Sequence, residues 1–533
     1  MSEQIVLVEI EAYKLSSGTV ETLRFCDGLA YRTRPTEVPP NALFRPMLLD
    51  PGWCRVDVFT GPGQYGQITP GELVLDDSSG ALGASLIDYA FDGRQIVVRI
   101  GDRGAAYPTD YVTVISGTLS GQPSFDWSRI TFHPADITAA QRKSMQSLRY
   151  AGSNVLPNGV EGVDDIKGQV KPIVWAMASN MSPVLCNTSK LIYQVSIATG
   201  TAAVSVSAVR DGGLPLTAGA AYASLADMIA TAPAAGAYRI LSNITDGTYI
   251  RLGSSPARAL TCDAAYGVAA DRTHAQTWRR VLAYSGVSGA AISAEDIAAL
   301  DAALPAAIEF AVFDETEFEA ALSTIAGSAA AAWFGDQTGV YRLLRWSAPA
   351  GAPMAKLTSL RTDAMDISDV IGTGAVAPAY RVKLSYGRNW TAMDDSALGG
   401  DKTAGADPVR APAGRAGLAA RAWLNNEYRT AEATDLTVQA AYKNAVVLEL
   451  TSLIADAAAA QAFVDAQLLM YKQARHMVTL SMWLSPAQID TVRAGTVVTV
   501  QQERWRYDAG RLMRVAGVMI DRQTRKTELS CWG

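Results

Sequence analysis

Histidine is the scarcest reactive residue in this chain: His133, His274 and His476 are the three in 533 positions. None stands at HxH or HExxH spacing from another, so histidine catalysis and histidine metal sites have no foothold in the sequence. Cysteine is scarce as well. Cys26, Cys54, Cys186, Cys262 and Cys531 are odd in number, far apart and outside any CxxC pair, which argues against a disulfide framework and against structural zinc. Long apolar runs are missing too: no stretch approaches about 18 uninterrupted apolar residues, the length of a membrane-spanning helix. The N-terminus carries Glu3, Glu9 and Glu11 and lacks the basic, then apolar, pattern of a secretory signal. The expectation is a protein made in the cytoplasm with no stable membrane insertion.

Charge is also in short supply. Charged residues make up 18% of the chain, against about 25% in an average soluble domain. Lysine and arginine number 46 and aspartate and glutamate 52, leaving 46 − 52 = −6. That balance argues against a protein that coats nucleic acid. So little charge also suggests that part of the surface is covered by partner subunits.

What is present points to several folded units. Hydrophobic residues reach 49%, which excludes dominant disorder, and the length corresponds to three or four domains at roughly 150 residues each. The fold class reads as α+β, predominantly β. Residues 1–150 read as a β domain: Ile96, Val98 and Ile100 alternate with polar or outward neighbours after the Asp92-Gly93 turn, and Val112 and Val114 share one strand face opposite Thr113 and Ile115. A Gly/Asn/Asp-rich linker at 151–168 leads to a β-rich unit over 171–260. There, Lys190 to Val209 and Tyr238 to Leu252 read as strands, and Ser224 caps a helix with Leu225, Met228 and Ile229 on one face.

A small α/β unit follows over 261–350, with Ser293 capping one helix and Thr316 a second. Over 360–533 a long helix at 456–476 precedes strands at 478–484, 496–501, 512–520 and 527–532, where the hydrophobic period switches from 3.6 to 2. An inserted Gly/Ala/Asp/Pro-rich loop spans 387–415.

Each chemical candidate has a plainer account beside it. Asp314, Glu315 and Glu317 form the densest acid cluster, and paired carboxylates perform glycosidic acid/base chemistry; at a helix start, acids are equally favoured by the dipole. Asp164-Asp165 and Asp394-Asp395 lack the spacing of a calcium loop and read as solvated loops. His476 reads as a helix-end cation, His133 as a turn residue, and Cys186 and Cys262 as small buried apolar groups. Gly61-Pro62-Gly63 and Asp211-Gly212-Gly213 read as turns, since no GxxxxGK[ST] occurs. Arg506, Arg511, Arg514 and Arg522, interleaved with Asp508 and Asp521, read as a solvated sheet face. No catalytic, metal or cofactor residue is expected.

A series of short strings gives the chain a recognisable order. GELVLDD at 71–77 is followed by FDGR at 91–94 and VVRIGD at 97–102. Lys167-Gly168 with Lys171-Pro172 precedes NMSPVL at 180–185, then DGG at 211–213, YASL at 222–225, RLGSSP at 251–256 and TCD at 261–263. GRLMRVAGV at 510–518 and TELSCWG at 527–533 complete the series. This order, spanning about 460 residues, resembles the central hub proteins of phage tail baseplates and of related gene transfer agents. Arg258 stands where that family often has glycine, and the 387–415 loop has no counterpart in the series.

The resemblance implies a structural virion protein without enzymatic activity. It would be a homotrimer whose chains each carry two tube-like β-barrel domains, within 1–150 and 360–533, so that six barrel faces meet a hexameric tail tube. The modules at 171–260 and 261–350 would decorate it. Implied partners are the tail tube or distal tail protein, the tape measure protein, and tip and fibre or receptor-binding proteins, with DNA only in transit. Two alternatives are a hexameric distal tail or receptor-carrier protein and a tail-associated cell-wall hydrolase resting on Asp314, Glu315 and Glu317. A third is a carbohydrate-binding module in 171–350.

Overall fold

The computed structural model describes residues 4–61, 64–69, 71–135, 137–336, 338–358, 362–369, 378–399, 420–489, 491–504, 506–521, 524 and 526–533. The chain is mainly strand, arranged in several sheets, with helices set around them.

The N-terminal unit packs two sheets face to face. One has the order Pro134–Ala135, Val112–Leu119, Gln95–Asp102, Gln4–Lys14, Thr19–Cys26; the other runs Ser124–Phe125, Arg129–Phe132, Leu73–Asp76, Leu48–Pro51. Val6, Val8, Ile96 and Val98 from the first meet Leu73, Leu75, Ile130 and Phe132 from the second, as the period-2 alternation requires. The strand Gln4–Lys14 is buried on its other face as well over its first half. Ile5 and Leu7 lie there with Tyr31, Phe44, Tyr107 and Tyr111. The 112–119 strand departs from the alternation read in the sequence, because Val114 and Ile115 are both buried. A bulge explains it: Val98 pairs with Ile115 and Arg99 with Thr113, so Val114 is the extra residue.

The hairpin Arg55–Gly61 and Gln64–Thr69 leaves this unit altogether. The ten-residue strand Arg511–Ile520 pairs with Val497–Gln501 only through Arg514, and beyond that point Arg55, Val56 and Asp57 occupy the same edge opposite Met519, Val518 and Gly517. A strand longer than its neighbour leaves unpaired backbone groups, and the hairpin supplies them. Gly517 permits the approach, since a Cβ there would sit 1.9 Å from Asp57 Oδ1. The result is an eight-stranded sheet built from both ends of the chain.

The second C-terminal sheet, Arg429–Thr434, Ala379–Tyr386 and Val446–Thr451, is faced by the helix Ala457–Tyr471. The sequence reading ran that helix to His476; it stops at Tyr471, and His476 opens the strand His476–Trp483, its N–H and C=O both bonded to Gly533. The middle of the chain holds a four- and a five-stranded sheet between Met177 and Tyr266. There the read strand 190–209 is two strands, Ile192–Ser196 and Val204–Asp211, and Ser224 caps Leu225–Ala230 as expected.

Helices His274–Tyr284, Ala294–Ala303 and Phe318–Ser328 follow. They share one continuous core with Val56, Val58, Phe59 and the C-terminal sheet. Ser293 caps its helix. Thr316 does not: the N-cap is Glu317, without a side-chain cap bond, and Thr316 bonds Asp314 instead. Of the 387–415 loop, 400–415 lies outside the described residues, as do Pro62, Gly63 and Arg522.

Candidate functional site

The acid cluster is dispersed by its partners. Asp314 accepts from the Thr316 N–H at 3.2 Å and from its hydroxyl, while Glu315 pairs with Arg149, just before the linker. Glu317 caps the 318–328 helix through its backbone carbonyl. Their visible work is local: they pin the entry to one helix and tie it to residue 149. Asp164 and Asp165 are exposed in turns, and Asp395 faces Arg421 at 3.6 Å and Asn425 at 3.0 Å. Among the described residues no group of three or more His, Cys, Asp or Glu could hold a metal ion.

Two of the three histidines have polar partners. His133 is half-buried, 3.7 Å from Glu72. His476 Nδ1 lies 2.8 Å from Tyr507 Oη and accepts from Arg511 at 3.0 Å; it is a strand residue, not the helix-end cation read from the sequence. His274 is fully buried at the start of its helix, and burial, with the Arg345 charge, pushes it down to about 3. All five cysteines are buried. Burial pushes the Cys186 and Cys531 thiols up to about 12, far from a reactive thiolate. The solvated arginine face is corrected too. Arg514 lies over Trp346, its pKa lowered by burial, and Arg511 over Tyr507 while it bonds the Gly533 carbonyl at 2.8 Å.

What the fold does bring together are two joints. At the first, Phe59 of the inserted hairpin stacks on Trp346, with ring centroids 4.4 Å apart and planes within 9°, and meets Trp532 edge-on at 5.4 Å. Arg475 covers Trp532 at 5.2 Å. Arg55 reaches Asp57, Glu528 and Ser530, the last at 2.9 Å. Gly66 of the same hairpin lies so close to the 331–335 strand that a Cβ would stand 2.6 Å from the Trp333 carbonyl.

The second joint is polar and buried. Arg210 forms a two-point pair with Asp263, 2.9 Å through Nη1, and Asp263 also accepts the Asn180 N–H at 2.9 Å. Asn180 takes the left-handed conformation, φ 56°, which asparagine tolerates. Its amide donates to Asn389 Oδ1 at 2.9 Å and to the Thr391 carbonyl at 2.7 Å. Asn389 in turn donates to the carbonyls of Trp423, Leu424 and Asn426, the end of the helix Ala420–Asn425. Beside it the buried Glu309 accepts from the Ser179 N–H at 3.0 Å and hydroxyl at 2.7 Å. This chain of contacts fastens the middle sheets to the C-terminal unit.

Sequence reasoning named Cys186, Cys262 and the acid cluster but passed over Phe59, Arg210, Glu309 and Asn389. A signal existed for Asp263: it is a charge set into the largely apolar strand Leu260–Tyr266, where a buried partner is required. Chemically, both joints hold modules in one geometry.

No family model matches the chain, and no curated protein does. Among solved structures it is similar to a tail protein from Neisseria meningitidis, with 10% identity, 99% of this chain and 96% of that chain covered, and a TM-score of 0.38. It is also similar to the 43 kDa tail protein of a Shewanella oneidensis prophage (12% identity, 99% and 98% covered, TM-score 0.37). A third is a prophage tail protein from Listeria monocytogenes (7% identity, 100% and 94% covered, TM-score 0.35).

Proposed function

We propose that this chain is a structural virion protein, the central hub of a phage tail baseplate, made in the host cytoplasm and assembled as a homotrimer. In this role it joins the hexameric tail tube to tip and fibre proteins, contacts the tape measure protein, and frames part of the channel through which DNA leaves. The observation that carries the proposal is the collinear order of the sequence strings over about 460 residues.

Those strings fall on positions with structural work. GELVLDD holds the strand Leu73–Asp76 and Asp77, whose carboxylate accepts from the N–H groups of Leu82 and Gly83. NMSPVL holds Asn180, TCD holds Asp263, and GRLMRVAGV with TELSCWG forms the strand pair that receives the 55–61 segment. Two β units, one at each end of the chain and tied through that segment, suit a subunit that presents two faces to one ring. The mild net acidity suits a passage that does not retain DNA.

Mass photometry of the purified chain, followed by cryo-EM of the assembled baseplate, tests this: three copies per ring are expected, and six would replace the hub by a distal tail or receptor-carrier protein. Lytic activity that is lost on changing Asp314, Glu315 and Glu317 to alanine, with assembly intact, would establish the hydrolase instead.

A further inference from the structure

Two exposed patches of opposite character lie at the two ends of the longest N-terminal strand. Gln4–Lys14 has eleven residues and so spans about 33 Å at roughly 3.3 Å per residue. At its far end Leu15 is bonded to the Asp88 carbonyl, and beside Asp88 stands Ile87, 72% exposed. Ile87 lies one helical turn beyond Gly83, on the same face, and a Cβ on Gly83 would touch the Phe125 ring at 3.5 Å. Phe125 leads to Trp127, at the tip of the hairpin formed by Ser124–Phe125 and Arg129–Phe132 and 96% exposed. Asp126 beside it accepts its neighbour's N–H at 2.7 Å and forms no ion pair among the described residues. Of the nearby cations, Lys14 faces Glu21 at 3.6 Å, and Arg129 stands opposite Asp76 in the strand register.

At the near end the hairpin of Tyr31–Arg32 and Leu43–Phe44 covers Ile5 and Leu7 with Tyr31 and Phe44. Its opposite face is turned outward. Arg32 pairs with Leu43 in register, and Leu43 and Arg45 flank the buried Phe44, so Arg32, Leu43 and Arg45 form one exposed surface. Leu29 and Val38, 71% and 75% exposed, lie in the flanking loops. Of the acids at this end, Glu37 is buried and pairs with Arg34 at 3.7 Å, Asp27 accepts the Val6 N–H at 2.8 Å, and Asp102 lies opposite Gln4 in the strand register; Arg32 and Arg45 form no ion pair among the described residues.

We propose that these two patches are the halves of a head-to-tail contact between copies of this chain: Trp127 of one copy receives a guanidinium of the next, with Asp88 and Asp126 facing Arg32 and Arg45. A guanidinium over an indole, flanked by carboxylates and rimmed by aliphatic groups, is a complementary pairing. Asp88 already accepts from the Ser16 N–H at 3.1 Å and from its hydroxyl, and Arg32 donates to the Asn41 carbonyl at 3.3 Å, so at those two positions the contact adds a charge partner to groups that are already hydrogen-bonded. Because the two patches differ, the contact is heterologous, and such contacts close into rings when the rotation permits. This deepens the ring assembly of the proposed function and rests on it.

The test uses the full-length chain, followed by mass photometry over a range of concentration and salt. Trp127→Ser, and separately Arg32→Glu with Arg45→Glu, should weaken self-association on the order of tenfold or more, with thermal unfolding unchanged because all three side chains are exposed. Adding Asp88→Arg and Asp126→Arg to the Arg32→Glu/Arg45→Glu chain should restore assembly. High salt should weaken the wild-type contact. Trimers unaffected by these substitutions would overturn the surface and leave the hub standing. Six copies per ring, lost on the same substitutions, would support the surface and overturn the trimeric hub. A wild-type chain that stays monomeric at every concentration would overturn the contact.

Discussion

The two joints solve one problem, fixing a distant segment to the C-terminal unit, with opposite chemistry. The joint at Phe59 is aromatic: Trp346, Trp532 and Phe59 exclude water, and the arginines lie over the rings. The joint at Asn180 and Asp263 is a buried relay of charges and amides running from Arg210 through Asp263 and Asn180 to Asn389. Apolar burial is non-directional and its strength follows area. A buried polar relay adds little net stability, yet each broken member leaves another unsatisfied, so it specifies one arrangement. The aromatic joint therefore sets how strongly the chain's ends hold together, and the polar one sets the angle of the middle sheets.

Substitutions separate these roles. Phe59→Ala should cost about 3–5 kcal/mol, read as a lower denaturant midpoint. A smaller loss, under about 1 kcal/mol, would show that the hairpin is held by its strand pairing instead. Asp263→Asn should also cost about 3–5 kcal/mol, because Arg210 stays buried without its carboxylate. The double change Arg210→Met with Asp263→Leu should recover most of that in thermal unfolding. Such recovery has no counterpart at Phe59, and this contrast is the sharpest test of the comparison. Asn389→Ala, which frees three carbonyls and the Asn180 amide, should cost about 1–3 kcal/mol, with hydrogen exchange rising at 420–426 before any change at 511–520.

Acid should separate regions as well. The unfolded chain protonates His274 near pH 6.5 while the folded chain keeps it neutral to about 3. Folding stability is therefore whole above pH 6.5 and declines as pH falls through that window, by at most about 1.4 kcal/mol per pH unit for this group. Glu9 acts at lower pH. Burial alone would raise its pKa, but hydrogen bonds from Tyr107, Arg99 and Arg24 outweigh it and hold the carboxyl below its usual 4.5. Its contribution is present above that value and lost as pH falls below it. His274→Leu should flatten the first decline only, measured as Tm against pH. The smallest effect is expected for the triple alanine change at Asp314, Glu315 and Glu317, a shift in Tm of about 1–2 °C.

Much of the architecture was legible from the residues. Alternation located Gln95–Asp102 and His476–Trp483, and serine caps located the helices at 225 and 294, because those signals act over a few residues. Val114 escaped because a bulge adds one residue that no periodicity announces. The Phe59 joint escaped for a deeper reason: nothing near residue 55 states that its strand partner lies at 517–519. The polar joint was partly visible, since Asp263 is a charge in a largely apolar strand, while Asn389 sits in a loop and donates to backbone carbonyls, which leave no mark in composition.

The inserted hairpin also has a consequence in time. Arg55 and its partner Ser530 are separated by 475 residues, and at about 5–20 residues per second a ribosome takes roughly 24–95 s to cover that interval. Throughout it the hairpin has emerged, yet the edge it will occupy has not been made. A nascent chain must carry Val56, Val58 and Phe59 without their final neighbours until its last strand appears, a window in which a chaperone, or the same strand of another chain, competes for them. A circular permutant opened just after Thr69, in which the hairpin is made after its acceptor strand, would close that window.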